Sequence, residues 1–399
     1  MVTMKLRLNV LIILLTATVA VGLTAQGMRG GTRIQPGQEC QPGTTETRTQ
    51  SCQAPSEPAP SILDYKPRNT LVTAEHKVPK AKFPVIDVHS HQGQLTLDSM
   101  KTLVSTMDPL NLRVLTLADN LSGDRLVQTI AAINSSPYKD RFRALAGIDF
   151  RNVGPGWADK AIQQLHTDIK AGALGVGELP KQFGLRVNKP DGSRLHVDDP
   201  EIDPLWDEFA KLDVPVFIHN AEPQEFFQPQ DMHNERWLEL SLFADRRNNQ
   251  PGQVTFEQLM TERNNMIRKH PKTRWVLAHF GWHANDLQRL GKLLDEFPNV
   301  TVEAGAVLYD FGRQPRASHD FFVKYQDRIL FGKDSYQPNE FPYYWRVFET
   351  NDEYFDYYRD YHAFWKMYGM GLPDEVLKKV YYKNAIKVFK GMPTTGFPQ

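Results

Sequence analysis

The stretch PVIDVHSHQG, residues 84–93, ends an apolar run in two histidines separated by one serine. Alternate residues of a strand point to the same side, so His89 and His91 would project together from the strand's end. Two adjacent imidazoles suit a divalent cation, zinc above all. A lone His-x-His pair is explained as well by polar side chains at a strand end. Other apolar runs, however, also finish in residues of ligand type: Glu178 in GVGELPK, His219 in VPVFIHN, His279 in RWVLAHF and Asp334 in RILFGKD. Only four of the twelve histidines occupy such places. A metal with an open position lowers the pKa of a ligated water to about 7 and polarises a carbonyl. A neighbouring carboxylate can take up the proton. Covalent catalysis is not suggested, because there is no GxSxG and no cysteine near a run end.

These six residues lie far apart in sequence, so the elements that carry them must bring them together. Eight strand-length runs recur, at 83–89, 113–119, 143–149, 173–179, 214–220, 274–280, 299–305 and 328–334. Segments with apolar residues at three- and four-residue spacing lie between them, several ending at Gly or Pro. Alternating strands and helices point to a parallel α/β fold. The count of eight favours a closed (β/α)8 barrel over an open doubly wound sheet. The missing GxGxxG after the first run speaks against a dinucleotide fold. In a barrel the run ends converge on one mouth. The long connections after Leu179, Asn220 and Asp334 would roof it.

Composition sets the outer limits. The chain has 399 residues, 41% of them hydrophobic, with 47 basic and 47 acidic side chains. Zero formal charge and the lack of a basic block give no reason to expect nucleic acid as a partner. Residues 1–25 carry Lys5 and Arg7 and then an apolar run with small residues near Ala20 and Ala25, as a signal peptide does. Export to a periplasmic or extracellular site is expected, with an uncleaved membrane anchor as the alternative. Residues 26–81 are rich in Gly, Pro, Gln, Ser and Thr and read as a flexible linker. In an exported chain its two cysteines, Cys40 and Cys52, are expected to pair. The main domain is expected over residues 82–399.

Across residues 83–390 the chain resembles the amidohydrolase superfamily, and within it the amidohydrolase-related family that also contains zinc-dependent decarboxylases. The resemblance is carried by His-x-His on the first run, His on the fifth and sixth and Asp on the eighth. It extends to FGKDSYQP (331–338), with Lys333 in a place usually held by Thr or Ser, and to YYKNAIKVF (381–389). The resemblance implies that His89, His91, His219 and Asp334 ligate a principal Zn2+ or other divalent ion. His279 would stand beside it and polarise a substrate oxygen or hold a second ion, and Asp334 would also accept a proton. Glu178 stands where binuclear members carry a bridging carboxylate. The alternative for Glu178 is to orient a ligating histidine.

Around this centre Arg186, Arg236 and Arg313 are candidates for binding a substrate carboxylate. Ordinary ion pairing is the competing role for each. The leading functional expectation is metal-dependent hydrolysis of an amide, lactone or ester of a small molecule. The alternatives are non-oxidative decarboxylation of an aromatic or unsaturated acid, for which Asp87 stands two places before His89 as in those relatives, and a non-catalytic small-molecule barrel. Lys333 bears on the last, because pairing with Asp334 would weaken metal binding.

Overall fold

A computed structural model of the chain describes residues 31–116, 119–362 and 365–398. The expected signal peptide lies outside the described residues. Among the described residues no helix is long and apolar enough to cross a membrane. The chain divides into two units between Val72 and Thr73.

In the first unit three short strands, β1 (Thr32–Arg33), β2 (Thr45–Arg48) and β3 (Ser51–Gln53), form an antiparallel sheet in the order β1-β3-β2. A Cys40–Cys52 disulfide ties β3 to the loop before β2. The segment expected as a linker is thus ordered over residues 32–53. With so few apolar residues to bury, the cross-link does what a core would do elsewhere.

In the second unit the apolar runs form parallel strands and the amphipathic segments form helices. In order these are β4 (Val85–Ser90), α1 (Leu97–Leu110), β5 (Leu112–Thr116), α2 (Gly123–Ser135), β6 (Phe142–Ala144), α3 (Trp157–Ala171), α4 (Asp203–Leu212) and β7 (Pro215–Ile218). They are followed by α5 (Trp237–Leu242), α6 (Phe256–Lys269), β8 (Arg274–Leu277), α7 (Leu287–Glu296), β9 (Val300–Glu303), α8 (Leu308–Arg313), α9 (Pro315–Lys324), β10 (Ile329–Leu330) and α10 (Phe341–Glu349). The chain ends in α11 (Asp374–Lys378), a π-helical turn (Lys379–Lys383) and α12 (Asn384–Val388).

Strands β4, β5 and β6 form one sheet and β7 to β10 another, and every pairing within them is parallel. Isolated parallel bridges join Ala146 to Val176, Val176 to Val216, and Ser90 to Asp334. Strands β4 and β7 are buried along their whole length, as parallel strands covered by helices must be. Helix α7 supplies such cover by burying Leu290, Leu293 and Leu294 along one stripe. Helix α1 starts where the Thr96 hydroxyl accepts from the Ser99 amide, and it stops at Asn111 in the left-handed region.

Two runs depart from expectation. Residues 173–179 contribute only the bridge at Val176, flanked by Gly175 and Gly177. A Cβ on Gly177 would collide with the Phe217 carbonyl oxygen, so β7 runs too close for a side chain there. The final helical segment, which carries YYKNAIKVF, is divided by the π turn.

Candidate metal centre

Glu178 stands at the middle of a buried cluster. Its Oε1 lies 2.8 Å from His219 Nδ1, 3.4 Å from His89 Nε2 and 3.5 Å from His279 Nε2. Its Oε2 lies 3.4 Å from His91 Nε2. Asp334 closes the group, with Oδ1 3.2 Å from His91 Nε2 and 3.7 Å from His89 Nε2. The fold thus brings together all six residues expected at the run ends. His89 comes from β4 and His91 from just beyond it, Glu178 follows the Val176 bridge, and His219 follows β7.

His279 and Asp334 reach the cluster through unusual backbone. His279, Phe280, Gly281 and Trp282 have consecutive positive φ values of 53°, 57°, 60° and 59°. Asp334 has φ 77°. Such angles cost energy in side-chain-bearing residues and occur where packing over-determines them. Arg263, fully buried on α6, donates to the Gly281 carbonyl at 2.6 Å and holds the first of these turns.

Three ring nitrogens converge on the Glu178 carboxylate. His89 Nε2, His91 Nε2 and His279 Nε2 are buried and have no hydrogen-bond partner. On the other side each ring is fixed. His89 Nδ1 meets Glu303 Oε1 at 2.9 Å, His91 Nδ1 meets Asp119 Oδ1 at 2.9 Å, and His279 Nδ1 donates to the Gly305 carbonyl at 2.9 Å. An imidazole oriented through one nitrogen while the other points into a shared space is the arrangement of a metal ligand. Buried polar atoms without partners are costly. The donor set of imidazoles and carboxylates fits a divalent ion of the zinc or manganese type.

The charges agree with that fit. Burial alone would lower the His89 pKa, but the Glu178 and Glu303 carboxylates push it up to about 10. Burial also opposes the charged form of His91, yet Asp119, Asp334 and Glu178 raise its pKa to about 11. Burial would raise the pKa of Glu178 and of Asp334, but the surrounding imidazoles hold both well below the usual carboxylate range.

Glu303 and Asp119 are functional residues that the sequence reading passed over. Asp119 ends the expected run 113–119, so the same signal would have found it, whereas Glu303 lies within its run, 299–305. Glu303 Oε1 accepts from the His279 amide as well as facing His89. Asp87, buried two residues before His89, accepts from the His89 and Lys333 amides, and burial pushes its pKa up to about 7. Lys333 does not pair with Asp334: its Nζ donates to the Ser335 carbonyl and to Glu340. The lysine that does meet Asp334 is Lys181, at 3.5 Å from both carboxylate oxygens.

A cavity of about 440 Å³ opens beside the cluster, with His219, His279, Asp334 and Lys181 in its wall. Arg186 and Arg236 line it too, but Arg313 does not. Arg313 faces a different cleft and is held by Glu235 and Asp310. Arg236 is buried and engaged with Glu239 and the Tyr309 hydroxyl. Arg186 donates to the Asp245 carbonyl and to Asn248 Oδ1.

Similar proteins are known. Gamma-resorcylate decarboxylase of Rhizobium sp. (strain MTP-10005) is 26% identical over 161 residues, 39% of this chain. The match spans 44% of that relative's length. A solved 2,6-dihydroxybenzoate decarboxylase from Rhizobium is 15% identical over 77% of this chain and 98% of its own, with a TM-score of 0.46. A solved dihydroxybenzoic acid decarboxylase from Polaromonas, which holds manganese and the inhibitor 2-nitroresorcinol, is 15% identical over 77% of this chain and 97% of its own, with a TM-score of 0.46. The family profile described as Amidohydrolase matches residues 132–391, a span that includes Glu178, His219, His279 and Asp334 and begins after the His89–His91 pair. The chain therefore belongs to the amidohydrolase family.

Proposed function

We propose that this chain is a metal-dependent lyase that removes carbon dioxide, without oxidation, from a small aromatic or unsaturated carboxylic acid on a closed (β/α)8 barrel. The observation that carries the reading is the set of three buried, unpartnered imidazole nitrogens converging on Glu178 beside a cation-lined cavity. The expectation of hydrolysis yields first place because the curated relative described above is a decarboxylase.

His89, His91, His219 and Asp334, with Glu178, would hold the divalent ion, which supplies a Lewis acid for the substrate's oxygens. In the reaction the bond to the carboxyl carbon breaks and carbon dioxide leaves. The electron pair stays on the substrate carbon, which takes a proton. Asp334 lies in the cavity wall against Lys181 and is the group assigned to hold that proton. His279, fixed through Nδ1 to Gly305, presents Nε2 to the same space. The N-terminal apolar run supports export of the mature enzyme as part of this reading.

A second reading, hydrolysis on two ions, is favoured by one observation: Glu178 touches all four histidines, as a bridging carboxylate would. Metal stoichiometry separates the two. The protein loaded with zinc or manganese is offered a panel of hydroxybenzoates and a panel of amides, lactones and esters. One ion per chain with carbon dioxide release is the expected result. Two ions per chain, with hydrolysis and no carbon dioxide, would overturn it.

A further inference from the structure

Five cationic side chains line the cavity: Lys181, Arg186, Arg236, Arg246 and Arg359. Four of them are engaged. Lys181 meets Asp334, Arg186 donates to Asp245 and Asn248, and Arg236 and Arg246 share Glu239. Arg359 differs. Among the described residues no carboxylate or carbonyl lies within hydrogen-bonding reach of its guanidinium. Beside it stand phenol rings: Tyr358 has its centroid 5.4 Å from the guanidinium carbon, and Tyr361 lines the same cavity. Rings of this kind stabilise a cation by about 0.5–2 kcal/mol, and the half-buried guanidinium meets no carboxylate among the described residues. A guanidinium presents five donors in a rigid fork that matches a carboxylate.

We propose that Arg359, with Tyr361 beside it in the cavity wall, receives a second carboxylate of the substrate. The enzyme's substrate is then an aromatic or unsaturated dicarboxylic acid. One carboxylate addresses the metal centre and is lost, and the other is held by Arg359. This rests on the reading of the cavity as a decarboxylase site. Arg359 forms no hydrogen bond or ion pair with any of the six candidate ligands, which leaves its fork for a carboxylate other than the one at the metal centre. Tyr309 and Tyr361 in the cavity wall give the flat faces and edges on which a planar acid packs.

The test is a binding measurement that needs no turnover. The metal-loaded full-length protein is titrated calorimetrically with benzoate, isophthalate and terephthalate, which differ only in the second carboxylate. At least one dicarboxylate is expected to bind about tenfold or more tightly than benzoate. Arg359→Met should abolish that advantage while leaving benzoate affinity and metal content unchanged. Arg359→Lys, which keeps the charge and loses the fork, should retain part of it. Dicarboxylates bound no more tightly than benzoate by the wild type would overturn the assignment, whatever the variants do. So would a preference that survives in Arg359→Met, since another cation would then hold the second carboxylate. An intact preference without carbon dioxide release supports Arg359 and removes only the lyase reading.

Discussion

Glu178 is the residue on which the centre turns, because a buried carboxylate among four imidazoles would let them share one cation. Glu178→Gln keeps the shape and removes the charge. Metal affinity should fall about tenfold or more, read as metal retained after dialysis, while the fold persists because the packing volume is unchanged. A variant that keeps its full complement of metal would show that Glu178 only orients His219. The six residues of the cluster were legible because each ends an apolar run, where strand geometry dictates a common direction. Asp119 obeyed the same rule and was passed over, and Glu303 was given no role because it sits inside its run rather than at the end. Arg359 carried no such signal: it lies in a loop crowded with aromatic residues and has no periodic neighbours. The roles of the arginines could not be read either, because Arg313 and Arg236 are committed to carboxylates that only the folded chain brings near.

At the scale of elements, the strand ends rather than the strand bodies are specialised. Strand β10 has two residues, and beyond it the chain passes Gly332 and turns at Asp334. A Cβ on Gly332 would collide with Glu303 Oε2 and lie 2.8 Å from the Cβ of His89. The glycine of FGKD is therefore required by the carboxylate that orients His89. Gly332→Ala should cost about 1–3 kcal/mol through overpacking and should weaken metal retention together with stability, because the two neighbours it displaces belong to the centre. A variant that melts earlier yet binds metal normally would show that Glu303 gives way without moving His89. Seven of the eight expected runs form strands, and the last helix exists although it is interrupted. The fourth run, 173–179, was not legible as a mere bridge, since its apolar residues promised a strand while its two glycines recorded the close approach of β7. The disulfide-tied sheet near the N-terminus was hidden for the opposite reason: its strands are too polar and too short to show a period.

For the molecule as a whole, the cluster couples metal, protons and stability. Without metal, His89 and His91 hold protons up to about pH 10 and about pH 11, whereas an unfolded histidine loses its proton near pH 6.5. Through that window the folded metal-free protein binds more protons than the unfolded chain, so its stability declines as pH rises. Glu178 and Asp334 have the opposite sign. Their depressed pKa values contribute stability above the unfolded carboxylate range, and it is lost as pH falls through the folded values. A divalent ion must displace the imidazole protons, so its affinity strengthens with pH just where the metal-free form weakens. A ligand at a hundred times its Kd stabilises by about 2.7 kcal/mol. The gap in melting temperature between metal-loaded and chelator-treated protein should therefore widen between about pH 6 and about pH 8.5. Thermal unfolding under both conditions measures it directly. A gap that stays constant or narrows would mean that the ion does not compete with protons on His89 and His91, and that the unpartnered nitrogens of the cluster serve something other than a metal.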